Sequence, residues 1–147
     1  MLVFEDEILD QEILRSAFEQ FLESSVSKKA PFVLCYNQIM TARQRKKDYL
    51  EKLPQIVAAL KKGYKPEKII LFGSLLDEKR PSSDIDLFLV KKTTLKRLGD
   101  RAVEARKYIP FPEIPVDLII YTPEEVERLK GNSIMLHQVF KGKVLYG

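Results

Sequence analysis

Cysteine, histidine and tryptophan are nearly missing from this chain of 147 residues, which has one cysteine, one histidine and no tryptophan. Cys35 has no partner for an internal disulfide, and zinc sites built from several cysteines are excluded. No run of about 18 apolar residues occurs, so we expect no membrane-spanning helix and no membrane partner. The N-terminus is acidic, which is not typical of a signal or transit peptide. The sequence therefore predicts a cytoplasmic protein.

The residues that are present are those of a folded domain. Hydrophobic residues make up 45% of the chain and charged residues 31%, a balance typical of one globular domain at this length. The net charge of +4 permits an anionic ligand without identifying it.

The first third of the sequence is typical of helices. Apolar residues at three- and four-residue spacing predict an amphipathic helix over 6–23, and a basic helix is predicted over 38–51. Pro54 either breaks that helix, kinks it or opens a new one, and Gly63 is its predicted end. The segment Phe32–Tyr36 fits a short strand or the start of a helix equally well.

Beyond residue 66 strands and helices alternate. Strands are predicted over 68–73, 84–90 and 115–121, with an edge strand over 143–146. Helices are predicted over 93–107 and 132–140, and another is opened by Thr122 as N-cap with Glu125 at N3. The buried stripe of the helix over 93–107 is predicted to be Leu95, Leu98, Ala102 and Ala105. This order predicts an α/β (α+β) fold, a small mixed sheet flanked by helices.

Three aspartates lie in stretches that otherwise are typical of buried strands, where an ionised carboxylate is costly. Asp84 and Asp86 are two residues apart in one stretch, and Asp117 lies in a later one. Because side chains alternate across a strand, Asp84 and Asp86 project from one face. If the strand of Asp117 lies beside theirs, the three carboxylates form a cluster whose repulsion a divalent cation removes.

Such a cluster suits phosphoryl or nucleotidyl transfer, in which one or two Mg²⁺ ions neutralise phosphate charge. Asp84, Asp86 and Asp117 are therefore candidate catalytic and metal-binding residues. Gly73 and Ser74 follow an apolar strand and suit phosphate binding, because glycine permits close backbone approach and serine donates hydrogen bonds. The alternatives are a turn cap at Asp84, an exposed edge strand carrying Asp84 and Asp86, or an ion pair at Asp117.

The motif Leu71-Phe72-Gly73-Ser74, nine residues, then Asp84-Ile85-Asp86-Leu87, resembles the nucleotidyltransferase superfamily that includes DNA polymerase β. Asp117 occupies the place of that family's third aspartate. The chain is most similar to the minimal nucleotidyltransferases often found beside HEPN-domain proteins. The resemblance covers residues 55–147, the predicted nucleotidyltransferase domain, and residues 1–54 form a predicted N-terminal helical extension.

This resemblance implies a polymerase β-like fold and a role for each motif residue. Asp84 and Asp86 would bind metal, Asp117 would complete the metal site and assist the nucleophile, and Gly73 and Ser74 would hold the phosphates. The implied substrate is a nucleoside triphosphate, ATP as the first choice, with Mg²⁺. In the antitoxin branch, the acceptor is a tyrosine of a HEPN-type toxin, which AMP transfer silences.

One departure from the family pattern lies in the loop after Ser74. Small members usually continue with Arg-Ala-Arg-Gly, whereas this chain has Leu75–Glu78 and a loop one residue shorter. Lys79 and Arg80 are the candidate nucleotide-binding residues that would compensate. If they do not, the chain is a weak or inactive nucleotidyltransferase-fold protein that acts as a binding partner or antitoxin.

A second alternative is a nucleic-acid end-modifying enzyme that uses the basic helix with Arg43, Arg45, Lys46 and Lys47. We rank nucleic acid last among the partners, because the chain leaves little room for a separate nucleic-acid-binding domain. The apolar face of the helix over 6–23 has to be buried, which is compatible with a homodimer or with a toxin partner.

Overall fold

The computed structural model describes the backbone of residues 30–147 and the side chains of residues 42–147. The helix predicted over residues 6–23 lies outside the described residues. The chain divides into two compact units, Met1–Thr41 and Ala42–Gly147. The predicted division into an extension over 1–54 and a domain over 55–147 stays a prediction.

The first described element is a long helix, α1 (Ala30–Ala59), which continues as one π-helical turn over Leu60–Tyr64. The segment Phe32–Tyr36, left open by the sequence, is helical. Pro54 lies inside α1 and does not end it. An interior proline costs about 3 kcal/mol. The cost is offset because each buried aliphatic side chain contributes about 1.5–3 kcal/mol, and this helix buries Leu53, Ile56 and Leu60.

The prediction that Gly63 ends this helix is wrong. Gly63 lies within the π-helical turn, and the left-handed residue that follows the turn is Lys65, at φ 59°. Gly63 has a packing role instead. A Cβ at this position would lie 2.2 Å from Cδ1 of Tyr108, so only glycine leaves room for that ring.

Within residues 30–147, four strands form one mixed sheet in the order β3-β2-β1-β4. Their bounds are β1 Lys68–Phe72, β2 Ile85–Val90, β3 Val116–Tyr121 and β4 Lys143–Tyr146. β1 is antiparallel to β2 and β4, whereas β2 and β3 are parallel. All four strands lie where the sequence predicts them, and β4 is the predicted edge strand.

Three shorter α-helices and one short 3-10 helix, Ser74–Leu76, complete the part of the chain that the structure describes; the α-helices are α2 (Leu98–Arg106), α3 (Pro123–Leu129) and α4 (Ile134–Phe140). The predicted start of α3 is confirmed, since Thr122 and Glu125 form a reciprocal capping box. The small mixed sheet with its helices confirms the predicted α+β fold. No helix within residues 30–147 is long and apolar enough to cross a bilayer.

The prediction for α2 needs correction. The helix begins at Leu98 rather than at residue 93, and Leu98 is 45% exposed. Its buried residues are Arg101 and Ala105. Arg101 can be buried because its guanidinium donates to the carbonyls of Leu95 and Ile120 and to the Glu125 carboxylate.

Hydrophobic clusters cover both faces of the sheet. The alternation of β2 places Ile85, Leu87 and Leu89 in one cluster, together with side chains of α1. Phe88 and Val90 belong to the other cluster, together with Leu136 and Val139 of α4. Asp86 shares the face of Phe88 and Val90. Asp86 is the second residue of β2, so it lies at the end of the sheet where β1 ends and where β2 and β3 begin.

Candidate active site

The three predicted aspartates meet at this end of the sheet. Asp86 and Asp117 are register partners in the parallel pair of β2 and β3, and Asp84 immediately precedes β2. One carboxylate oxygen from each lies within 4.8 Å of the others. Asp84 and Asp86 are half-buried, whereas Asp117 is exposed. β2 lies between two strands, so Asp84 and Asp86 do not belong to an edge strand.

The proximity of the carboxylates changes their protonation. Burial, together with the charges of Asp84 and Asp117, raises the pKa of Asp86 to about 6. The pKa of Asp84 is also raised, chiefly by burial and secondly by its proximity to the Asp117 carboxyl group. A divalent cation bound beside the carboxylates would favour the ionised forms of Asp84 and Asp86.

Gly73 is fixed beside the carboxylates by both space and backbone conformation. It follows Phe72, which is the register partner of Asp86 across β1 and β2. Its φ is 82°, and a Cβ at this position would lie 2.2 Å from Oδ2 of Asp86. Glycine alone tolerates this φ and this approach without strain.

Ser74 is linked to the aspartates through Ser82, a residue that sequence reasoning missed. The two Oγ atoms are 3.2 Å apart, and the Ser82 hydroxyl donates to the main-chain carbonyl of Asp84 at 2.7 Å. Because Ser82 uses its one hydroxyl hydrogen on Asp84, Ser74 is the donor within the pair. Ser82 is 1% exposed. The only sequence signal for it was its place two residues before Asp84.

Lys79 and Arg80 lie in an exposed turn, and the structure does not bring them to the aspartates. Arg80 Nε is 3.6 Å from Oδ2 of Asp77, and the amide of Lys79 donates to Oδ1 of Asp77. Among residues 42–147, no hydrogen bond or ion pair joins either side chain to the three aspartates. Their role in nucleotide binding stays a prediction.

A groove of about 570 Å³ opens beside the aspartates along β3. Asp86 and Asp117 contribute to its wall, and the other lining residues are mostly apolar: Phe72, Ala102, Val103, Arg106, Val116, Leu118 and Ile119. Its volume lies in the range of pockets that hold small molecules. The Arg106 guanidinium donates to the carbonyls of Val116 and Ile114, so it is already engaged by the protein.

With this geometry established, comparison with known proteins assigns the family. Residues 54–147 match the family model for the nucleotidyltransferase domain of the polymerase beta type. The chain belongs to the polymerase beta nucleotidyltransferase family. The predicted resemblance and the predicted fold are thereby confirmed, whereas pairing with a HEPN-type toxin stays a prediction.

Two further comparisons add little to this assignment. A protein from Sulfolobus solfataricus, provisionally assigned as a nucleotidyltransferase, has a solved structure to which this chain is similar at 24% identity. The similarity covers 59% of this chain and 78% of that chain, with a TM-score of 0.44. A search of curated proteins finds no match to this chain.

Nucleotidyltransferases of this family typically use a nucleoside triphosphate and a divalent metal, and the residues present fit that requirement. The cluster offers oxygen ligands only, which are the ligands that Mg²⁺ and Mn²⁺ prefer. These three carboxylates would hold the metal, one ion or two. A bound divalent metal would neutralise the negative charges with which these three carboxylates repel one another.

Proposed function

We propose that this chain is a Mg²⁺-dependent nucleotidyltransferase that moves a nucleoside monophosphate, AMP from ATP, to a hydroxyl group. The observation that carries this proposal is the convergence of three carboxylates within 4.8 Å beside the backbone of Gly73. Membership of the polymerase beta nucleotidyltransferase family supports it.

We propose separate roles for the three aspartates, which would bind the metal, and for Gly73 and Ser74, which would bind phosphate. Asp84, Asp86 and Asp117 would hold the metal, which when bound would neutralise charge on the triphosphate and on the departing oxygen. Gly73 lets the main chain approach a phosphate. The hydroxyl of Ser74 is donated to Ser82, so we propose that a phosphate oxygen accepts from the Ser74 amide.

The transfer needs one bond to form and one to break. The acceptor oxygen bonds to the α-phosphorus while the bond to the bridging oxygen of the β-phosphate breaks, and pyrophosphate leaves. The hydroxyl proton passes to the carboxylate of Asp117, which is exposed and therefore accessible to an acceptor. β2 separates Gly73, after β1, from Asp117 on β3, and we propose that the triphosphate lies on the Gly73 side and the acceptor on the Asp117 side, an arrangement compatible with in-line displacement.

The acceptor we propose is a tyrosine hydroxyl on a protein, that of a HEPN-type toxin, with a small-molecule hydroxyl as the alternative. Resemblance to the minimal nucleotidyltransferases supports the toxin. The groove beside Asp117 also suits a phenol ring, since most of its lining is apolar. We further propose that the protein acts in the cytoplasm and that a homodimer forms.

The test uses ATP labelled on the α-phosphate, Mg²⁺ and candidate acceptors. We expect label transfer by the wild-type chain and a loss of at least about 100-fold in Asp86→Ala, because the metal ligand is removed. Asp48→Asn is the control, since Asp48 is exposed on α1 and outside the cluster. Equal transfer by wild type and Asp86→Ala would show that the cluster is not the active site.

The alternative of an inactive binding partner is favoured by one observation. Asp77 and Glu78 are exposed in the loop after Ser74, where their charges oppose a triphosphate. Calorimetry with ATP and Mg²⁺ separates the two functions. Binding that Asp84→Asn with Asp86→Asn abolishes supports the enzyme, whereas no binding by wild type supports the inactive partner. A nucleic-acid enzyme would instead show steeply salt-dependent binding to RNA or DNA.

A further inference from the structure

The segment Gly73–Asp84, here named the phosphate loop, connects β1 to β2 beside the three aspartates. Its outer turn, residues 77–80, is exposed. Within that turn the Arg80 amide donates to the Asp77 carbonyl, and the Asp77 carboxylate accepts from the amide of Lys79. Exposed short-range bonds of this kind open readily in solution. The turn therefore needs an anchor from another element to keep one conformation.

Lys46 on α1 provides such an anchor. Its Nζ donates hydrogen bonds to the main-chain carbonyls of Asp77 and Arg80, the second at 2.8 Å. These bonds are stronger than bonds between neutral groups because the donor is charged. The two acceptors are the first and last residues of the outer turn, so one ammonium group holds both ends of it.

A second side chain on the same side of α1 contacts the far end of the phosphate loop. Tyr49 lies three residues after Lys46, and its hydroxyl donates to the Ser83 carbonyl at 3.5 Å. Tyr49 is buried, as are Leu53 and Ile56 further along this side of the helix. The helix that carries Lys46 is thus itself fixed in the core, and it can hold the loop in place.

We propose that Lys46 is a positioning residue, which holds the phosphate loop in the conformation that binds the triphosphate. This inference rests on the proposed function. The loop carries two acids, Asp77 and Glu78, that repel a triphosphate, and the Lys46 ammonium lies against the main chain of one of them. Lys46 acts through the loop and does not touch the reacting atoms.

The test compares Lys46→Met with Lys47→Met, which removes the neighbouring exposed charge. We expect Lys46→Met to weaken ATP binding in the presence of Mg²⁺ about tenfold, the scale of one lost charged hydrogen bond. We expect Lys47→Met to bind as wild type does, and Lys46→Arg to restore most of the affinity because guanidinium also donates to two carbonyls. Calorimetry on the full chain measures all four proteins.

Hydrogen exchange without nucleotide gives a readout that does not depend on the proposed function. We expect amides of residues 77–83 to exchange faster in Lys46→Met than in Lys47→Met, while those of β2 and β3 stay unchanged. Should Lys46→Met not fold, Lys46→Ala also removes the donor, favours the helix, and serves in its place.

The outcomes separate the two claims. A wild-type chain that binds no nucleotide overturns the proposed function. A wild-type chain and Lys46→Met that bind ATP equally tightly, or that exchange equally over residues 77–83, overturn the role of Lys46 alone. Weakened binding that Lys46→Arg restores, with faster exchange confined to the loop, supports it.

Discussion

Gly73 allows the strictest test of the site at the scale of single residues. In Gly73→Ala the new Cβ would lie 2.2 Å from Oδ2 of Asp86, at a φ of 82° that L-residues rarely adopt. We expect this change to cost about 1–3 kcal/mol of stability from backbone strain alone. It should also weaken Mg²⁺ binding, because the Asp86 carboxylate has to move. Urea unfolding and calorimetric titration with Mg²⁺ measure the two effects.

Gly131→Ala is the matched control for this prediction. Apart from its chain neighbours, no atom of the described residues lies within 4 Å of a Cβ built at Gly131, so we expect a stability change within about 0.5 kcal/mol. A Gly73→Ala protein with wild-type stability and wild-type Mg²⁺ affinity would contradict the close packing of Gly73 against Asp86.

The predictability of the site differs from residue to residue. That Asp84 and Asp86 share a face follows from the two-residue period of a strand, which is a local property of the sequence. The approach of Asp117 depends on β2 and β3 being neighbours in register, which the sequence left as a condition. The roles of Ser82 and Lys46 could not be predicted, because both side chains donate to main-chain carbonyls of a loop. Every residue has such a carbonyl, so the sequence does not show which one accepts.

At the scale of elements, the strands and the start of α3 were predictable because their signals are local. A short apolar run marks each strand, and Thr122 with Glu125 marks the helix start. The start of α2 was not predictable in the same way. The Thr93 hydroxyl accepts a hydrogen bond from the amide of Leu95, and this local bond offers the backbone an alternative to the helix.

The burial of Arg101 could not be predicted from the sequence either, because two of its partners, Ile120 and Glu125, are distant along the chain. Arg101 is 3% exposed and joins α2 to Glu125 of α3, with Nη1 at 2.6 Å from Oε2. Nη1 also donates to the carbonyl of Ile120 in β3 at 3.0 Å. One side chain thus ties two helices to the strand that carries Asp117.

We expect Arg101→Met to destabilise the protein by about 3 kcal/mol, because it leaves the Glu125 carboxylate and two carbonyls without their partner. Glu125→Gln should cost less, since its side chain can still accept from the Thr122 amide. The control is Lys130→Met, which removes an exposed pair with Glu127 and should cost below about 0.5 kcal/mol. Urea unfolding measures all three, and equal losses in Arg101→Met and Lys130→Met would contradict the prediction.

At the scale of the whole molecule, two groups of carboxylates make stability depend on pH in opposite directions. The hydrogen bond from Arg101 holds the pKa of Glu125 below its usual value. Its contribution to stability is therefore present above the unfolded pKa and is lost as the pH falls through the folded one. The raised pKa values of Asp84 and Asp86 act in the other direction.

For Asp86 the window is set by a folded pKa of about 6 and an unfolded value of 3.8. Between these values the folded protein binds more protons than the unfolded chain, so stability falls as the pH rises. Without metal, the two groups together favour an optimum on the acid side of neutrality. Mg²⁺ binds the ionised carboxylates and should add stability only above the pKa of Asp86.

We therefore expect roughly 10 mM Mg²⁺ to raise the thermal midpoint at about pH 7.5 and to leave it unchanged at about pH 4.5, where protons compete for the ligands. Asp84→Asn with Asp86→Asn should remove the Mg²⁺ effect, and it should flatten the decline in metal-free stability between about pH 4 and 6. Asp48→Asn should keep both the Mg²⁺ effect and the decline.

Because other groups also titrate, the difference in stability between wild type and the double variant isolates the contribution of the three aspartates. A midpoint that Mg²⁺ raises equally at both pH values, or equally in the double variant, would mean that the cation binds elsewhere.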